Sequence, residues 1–217
     1  GKTTNALEEV LKAYWQKDTT LMKENLDKVK AYHQGIIDGL FASAQHPIHD
    51  DIHDVFVDLE WTLEEEAQDG FDFLYDQVVS VGELLSTKIV AAYFNEIGLT
   101  TTWVDVRDCI RTDNTYRDAN VDWEATVTAA NEQITPFLRA GMVLTQGFIG
   151  GTTENFTTTL GREGSDFTAA ILSYCLNAKD MSIWKDVSGV LTADPRLFDK
   201  TTKIDKLSYA EAIEMTY

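Results

Sequence analysis

Met142-Val143-Leu144-Thr145-Gln146-Gly147-Phe148-Ile149 is an apolar run set between Gly141 and the pair Gly150-Gly151. Its length and its flanking glycines read as a buried strand. Ser165–Ala178 follows with helical spacing, and Met181–Val187 (MSIWKDV) reads as another strand. Two strands joined by a helix form a βαβ unit, in which the strands run parallel. Upstream, Thr101–Arg107 (TTWVDVR) is β-branched and alternating, and Val121–Arg139 is helical; downstream, Ser208–Tyr217 opens a further helix. Strands alternating with helices predict an α/β fold, a mostly parallel central sheet between helices.

The first hundred residues are helix-rich. Asn5 followed by Glu8 fits a capping box, and Leu7, Val10, Leu11 and Tyr14 recur at helical spacing. Met22, Leu26, Val29, His33, Ile36, Ile37 and Leu40 mark a second helix. Ile48, Ile52, Val55, Phe56, Leu59 and Leu63 mark a third. Phe71–Ile97 predicts one long apolar helix, ended by Gly98 as its C-cap.

The chain has 217 residues, 44% of them hydrophobic, with 18 Lys plus Arg against 36 Asp plus Glu, a net charge of −18. That is enough chain for one domain with a real core. Such acidity argues against nucleic acid and against an anionic membrane surface as partners. No Lys or Arg occurs between Lys30 and Lys88, a stretch that holds Asp50, Asp51, Asp54, Asp58, Glu60, Glu64, Glu65 and Glu66. Two distant cysteines, Cys109 and Cys175, and the lack of a signal-peptide pattern point to the cytoplasm. With no initiator Met before Gly1-Lys2-Thr3-Thr4, the chain reads as truncated.

In parallel sheets ligands sit outside the carboxyl ends of the strands. There this chain carries Gly147–Gly151 and Lys185–Gly189, expected to converge on one edge. The first segment leads into Thr157–Asp166, where Arg162 can hold a carboxylate or phosphate through paired hydrogen bonds. The following helix start suits phosphate; an ordinary loop with Ser165 as N-cap is the bland alternative. In the second segment Lys185 and Arg196 can neutralise phosphate, and Asp186 can orient a nucleotide or a lysine, whereas Asp194-Pro195-Arg196 also fits a plain turn. Glu83 shares an apolar stripe with Val79 and Val90, and a carboxylate there needs a partner, a substrate ammonium in the functional reading and an internal salt bridge or a solvated helix face in the bland one. Gly1–Thr4 resembles only the tail of a P-loop, and His49-Asp50-Asp51-Ile52-His53 reads as a solvated acidic helix in preference to a metal site.

Several long motifs resemble one family in register. They are Thr158–Asp166 (TTLGREGSD), Ile183–Arg196 (IWKDVSGVLTADPR), Leu207–Met215 (LSYAEAIEM), Val81–Ser86 (VGELLS), Val104–Arg107 (VDVR), Thr145–Gly150 (TQGFIG) and Gly1–Asn5 (GKTTN). Together they resemble the aspartokinases of the amino-acid kinase superfamily, over the start and about residues 78–217. The resemblance implies transfer of the ATP γ-phosphoryl group, with Mg²⁺ on the phosphates, to the side-chain carboxylate of L-aspartate. The product would be 4-phospho-L-aspartate, first step towards lysine, threonine and methionine. It implies that Thr4, Glu83, Arg162 and Ser165 bind aspartate. Glu83 would meet the α-ammonium and Arg162 a carboxylate, and Arg162 and Asp166 would serve catalysis, Asp166 by holding a catalytic lysine. Lys185, Asp186, Leu191 and Arg196 would line the nucleotide pocket, with no metal held by protein side chains. The family usually has Thr at Lys185, Gly at Glu163 and often Tyr at Leu191.

By the same resemblance, residues 1–217 are a partial catalytic domain. Its first Lys-Phe-Gly-Gly strand, its C-terminal part and its regulatory ACT domains would lie outside, and the intact protein would be a homodimer. Two alternatives stand beside this reading: a kinase of glutamate or acetylglutamate on the same fold, and a non-catalytic ligand-binding module. The polypeptide by itself is expected to show negligible kinase activity, because the phosphate-binding lysine would precede Gly1. A coupled assay recording aspartate-dependent ADP release at ordinary kinase rates, about 1–100 s⁻¹, would overturn that expectation.

Overall fold

A computed structural model describes residues 2–64, 70–161, 163–187 and 189–216. Gly1, Glu65, Glu66, Arg162, Ser188 and Tyr217 lie outside the described residues. The chain divides into two compact units, residues 1–181 and 182–217.

The first unit opens with helices α1 (Thr3–Trp15), α2 (Thr19–Leu40) and α3 (Ile48–Glu64). All six apolar positions that mark α3 are buried, as are Leu7, Val10 and Leu11 of α1 and Met22, Leu26, Val29, His33 and Ile37 of α2. Burial at three- and four-residue spacing is what turns the pattern into helices, since isolated helices of this length are marginal in water. The Asp18 side chain caps α2 by accepting from Leu21 N–H. Helix α1 begins at Thr3 with no side-chain cap, so the capping box expected at Asn5 does not form.

The long helix expected over Phe71–Ile97 is two: α4 (Phe71–Val79) and α5 (Val81–Glu96), broken at Ser80. The break answers to what each piece must reach. On α4, fully buried Asp76 accepts hydrogen bonds from Thr159 N–H, Thr159 Oγ1–H and Arg117 N–H at 2.8, 2.8 and 2.9 Å. Next to it the Gln77 amide donates to Thr157 O and accepts from Thr157 N–H. Helix α5 instead leans on α1 through Gly82, where a Cβ would stand 3.3 Å from Thr3 Cγ2. Gly98 ends α5 with φ +83°, as expected of a C-cap.

Strand β1 (Thr101–Trp103), helix α6 (Trp123–Ile134) and strand β2 (Met142–Leu144) form the parallel unit, with Thr101 opposite Met142 and Trp103 opposite Leu144. The βαβ pairing therefore exists, one step earlier in the chain than the sequence suggests. Asp122 caps α6, and Pro136 cannot extend it towards Arg139. The run Met142–Ile149 is interrupted, because Phe148 turns to φ +74° and the chain re-emerges as β3 (Ile149–Gly151). Strand β3 pairs antiparallel with β4 (Thr157–Thr159), a hairpin the sequence reading missed. Helix α7 (Gly164–Cys175) closes the unit. One core runs from Leu7, Ile37 and Leu59 through Leu85 to Ile110, Ile149 and Ile171.

Met181–Val187, which leads into the second unit, is not a strand. No strand pairs with it among the described residues, Trp184 is 92% exposed, and an apolar run without a neighbouring strand gains no ladder hydrogen bonds. Leu191 pairs with Lys203 around a turn at Asp194, and α8 (Tyr209–Thr216) follows. Among the described residues no helix is long and apolar enough to cross a membrane.

Asp76→Ala strips three donors of a charged acceptor and should cost at least about 3 kcal/mol in urea unfolding. Asp76→Asn should cost under about 1.5 kcal/mol, because its Oδ1 can take both N–H groups while Nδ2 donates to Thr159 Oγ1.

Candidate active site

The break at Ser80 moves Glu83 from mid-helix to the first turn of α5. It therefore no longer shares a helix with Val79. Because Gly82 lets α1 and α5 approach, Glu83 meets the N-terminal end of α1. Thr4 and Glu83 line one cavity of about 360 Å³ with Thr3, Tyr32, His33 and Ser86. The sequence reading assigned Thr4 and Glu83 a common ligand, and the structure brings them together.

Glu83 is half-buried, and its carboxylate makes no hydrogen bond or ion pair among the described residues. Burial pushes its pKa above the ordinary carboxyl value. His33, which lines the same cavity, is buried with Nδ1 2.8 Å from Val29 O, and burial lowers its pKa, so its ring is neutral near neutrality. The cavity thus offers one unneutralised carboxylate among hydroxyls and a neutral ring. A carboxylate so placed can accept hydrogen bonds from a cationic group such as an ammonium.

The second group of expected residues stands at α7. Ser165 and Asp166 occupy its first turn, and Ser165 is not the N-cap. That place is held by Glu163 in the left-handed region at φ +58°, with no side chain capping the helix. A left-handed residue with a Cβ costs roughly 1–2 kcal/mol, so a glycine would be less strained at this position. Gly147 is pressed on the turn: a Cβ there would lie 3.0 Å from Ser165 Cα, Cβ and Oγ. Arg162, expected to bind the substrate carboxylate, lies outside the described residues.

Lys185, Asp186, Leu191 and Arg196 all fall in the second unit. The convergence expected of the two glycine-rich segments rested on a strand at Met181–Val187, which is not formed. Arg196 is held by its neighbour: Nε and Nη2 donate to the Asp194 carboxylate, with the shorter contact 2.7 Å. Hydrogen bonding from Arg196 pulls the Asp194 pKa down to about 2. This is an exposed turn that presents a cation.

Sequence reasoning missed Gln146, Thr87 and the pair Asp105 and Arg107. Gln146 was legible in principle, as an amide inside an apolar run that must find partners if buried. Arg107 donates to both Asp105 oxygens and to Thr157 Oγ1, so its charge is consumed internally. Among the described residues no cluster of three His, Cys, Asp or Glu is placed to hold a metal ion.

Residues 4–217 match the model of the amino acid kinase family, and the chain belongs to that family. Within it the similarity is to aspartokinases. The chain is 37% identical over 194 residues to lysine-sensitive aspartokinase 3 of Escherichia coli strain K12, covering 88% of this chain and 42% of that protein. The crystal structure of E. coli aspartokinase III in complex with aspartate and ADP matches with a TM-score of 0.87 at 34% identity, over 100% of this chain and 47% of that one. Clostridium acetobutylicum aspartate kinase matches with a TM-score of 0.77 at 25% identity, over 100% and 44%. The chain spans less than half the length of these relatives.

The raised pKa of Glu83 fixes the sign of a pH effect. Folding favours its protonated form, so its contribution to stability is full at acid pH and is lost as pH rises through the raised folded value. Glu83→Gln removes that titration. The variant's melting temperature should match the parent's near about pH 4 and exceed it by about pH 7. A difference independent of pH would refute the assignment.

Proposed function

We propose that the protein of which this chain is part transfers the γ-phosphoryl group of ATP to the side-chain carboxylate of L-aspartate. The observation that carries the reading is the half-buried Glu83 carboxylate, without an ion-pair partner among the described residues and sharing a cavity with Thr4. It is supported by similarity to an enzyme whose structure holds aspartate and ADP. In this reading Glu83 takes the α-ammonium, while Thr4, Arg162 and Ser165 hold the rest of the amino acid. Asp166, in the first turn of α7, orients a catalytic lysine, and Arg162 neutralises developing charge. Lys185, Asp186, Leu191 and Arg196 contact the nucleotide, Arg196 by exchanging Asp194 for a phosphate.

A carboxylate oxygen of aspartate attacks the γ-phosphorus, the bond to the β,γ-bridging oxygen breaks, and ADP leaves with that electron pair. Little covalent work falls to the protein; positioning and charge neutralisation supply the rate. Mg²⁺ would arrive on the nucleotide phosphates and spread their charge. The described side chains form no cage for it. A cytoplasmic homodimer working at the head of lysine, threonine and methionine synthesis completes the proposal.

The test is ADP release by the whole protein with aspartate, glutamate or acetylglutamate as acceptor. Aspartate should be the preferred acceptor, and Glu83→Ala should lower kcat/KM for aspartate at least about 30-fold through loss of one partner of a charge pair. Preference for another acid would reassign the substrate. ATP binding without turnover of any acceptor would mark a binding module.

A further inference from the structure

Gln146 is 1% exposed and lies between β2 and β3. Both ends of its amide are used. Oε1 accepts from Val106 N–H at 2.7 Å, and Nε2 donates to Thr87 Oγ1 at 3.0 Å. The Thr87 hydroxyl is thereby saturated: it also accepts from Trp103 Nε1 at 3.0 Å and donates to Glu83 O at 2.7 Å. A threonine bonding back to the carbonyl four residues earlier is common in helices. Here two groups from outside the helix, one beside each strand of the parallel pair, grip the same oxygen.

The residues after Gln146 grip the other half of the site. Gly147 packs on Ser165, and Phe148 N–H donates to Thr168 Oγ1 at 2.9 Å, which in turn donates to Gly164 O at 2.9 Å. A continuous path runs from the Glu83 peptide through Thr87, Gln146 and Phe148 to the start of α7. Its members belong to one unit. An apolar residue at 146 would leave the fully buried Val106 N–H without its acceptor.

We propose that Gln146, acting through Thr87, is a positioning residue that sets the distance between Glu83 on α5 and the first turn of α7. The inference rests on Glu83 being the ammonium-binding carboxylate. It assigns Gln146 no contact with substrate.

The experiment measures kinetics of the whole protein with Gln146→Met, similar in length but unable to make either hydrogen bond. KM for aspartate should rise about tenfold, which corresponds to the loss of one to two net hydrogen bonds, while KM for ATP stays within about twofold. Thr87→Val should reproduce the effect, Thr87→Ser should restore near-parental values, and the double variant Gln146→Met/Thr87→Val should be no worse than either single change. If Gln146→Met does not fold, the Thr87→Val and Thr87→Ser pair decides. The proposal falls if a folded variant keeps its KM for aspartate, if both KM values rise alike, or if Thr87→Ser is as impaired as Thr87→Val. An active parent with unaffected variants sinks this proposal alone. A parent inert towards aspartate sinks the functional reading and this proposal with it.

Discussion

Two side chains of one short helix do the work of a missing strand. Asp76 and Gln77, adjacent on α4, bind the backbone of β4 at Thr157 and Thr159. A strand edge with free N–H and C=O groups would otherwise be open to pairing with another chain. Because neighbouring residues of one helix must reach a strand edge, α4 cannot also follow the line that α5 takes against α1. The helix breaks at Ser80, and the break sets where Glu83 stands.

Charge follows the same economy of partners. In a chain with a net charge of −18, cations are scarce, and several are already committed. Arg107 is bound to Asp105, Arg117 reaches Asp72 and lies over the Tyr75 ring, and Lys88 lies over the Trp103 ring at 4.2 Å. Glu83 has none among the described residues. The net charge also repels anions at long range, so any anionic ligand would have to be held by a few placed donors at short range, where screening is weak. An unneutralised carboxylate in a half-buried cavity is stabilised when a ligand brings the missing charge.

The helices α1 to α3 were legible because their pattern is local: one residue in three or four is apolar and every marked position on α3 is buried. The pairing of Thr4 with Glu83 was legible through family resemblance, and Glu83 independently through its misplaced charge. The break at Ser80 was not, since an unbroken apolar helix satisfies the same spacing. Gln146 was passed over because it sits with Thr145 inside a strand-like run, and a buried strand of that length tolerates a polar side chain or two without losing its apolar character. The supposed strand at Met181–Val187 had the composition of a strand and lacks a strand neighbour among the described residues.

From sequence alone came the identity of the chemistry-bearing side chains, the helical periodicity of the first half and the membership of an α/β class, because each depends on residue type or on near neighbours. The tertiary structure decided which of those side chains share a cavity, which cations were already spent and where the strands pair. Those outcomes depend on partners as much as 83 residues away, as Asp76 and Thr159 are, and a hydrogen bond forms only with the group that folding brings within reach.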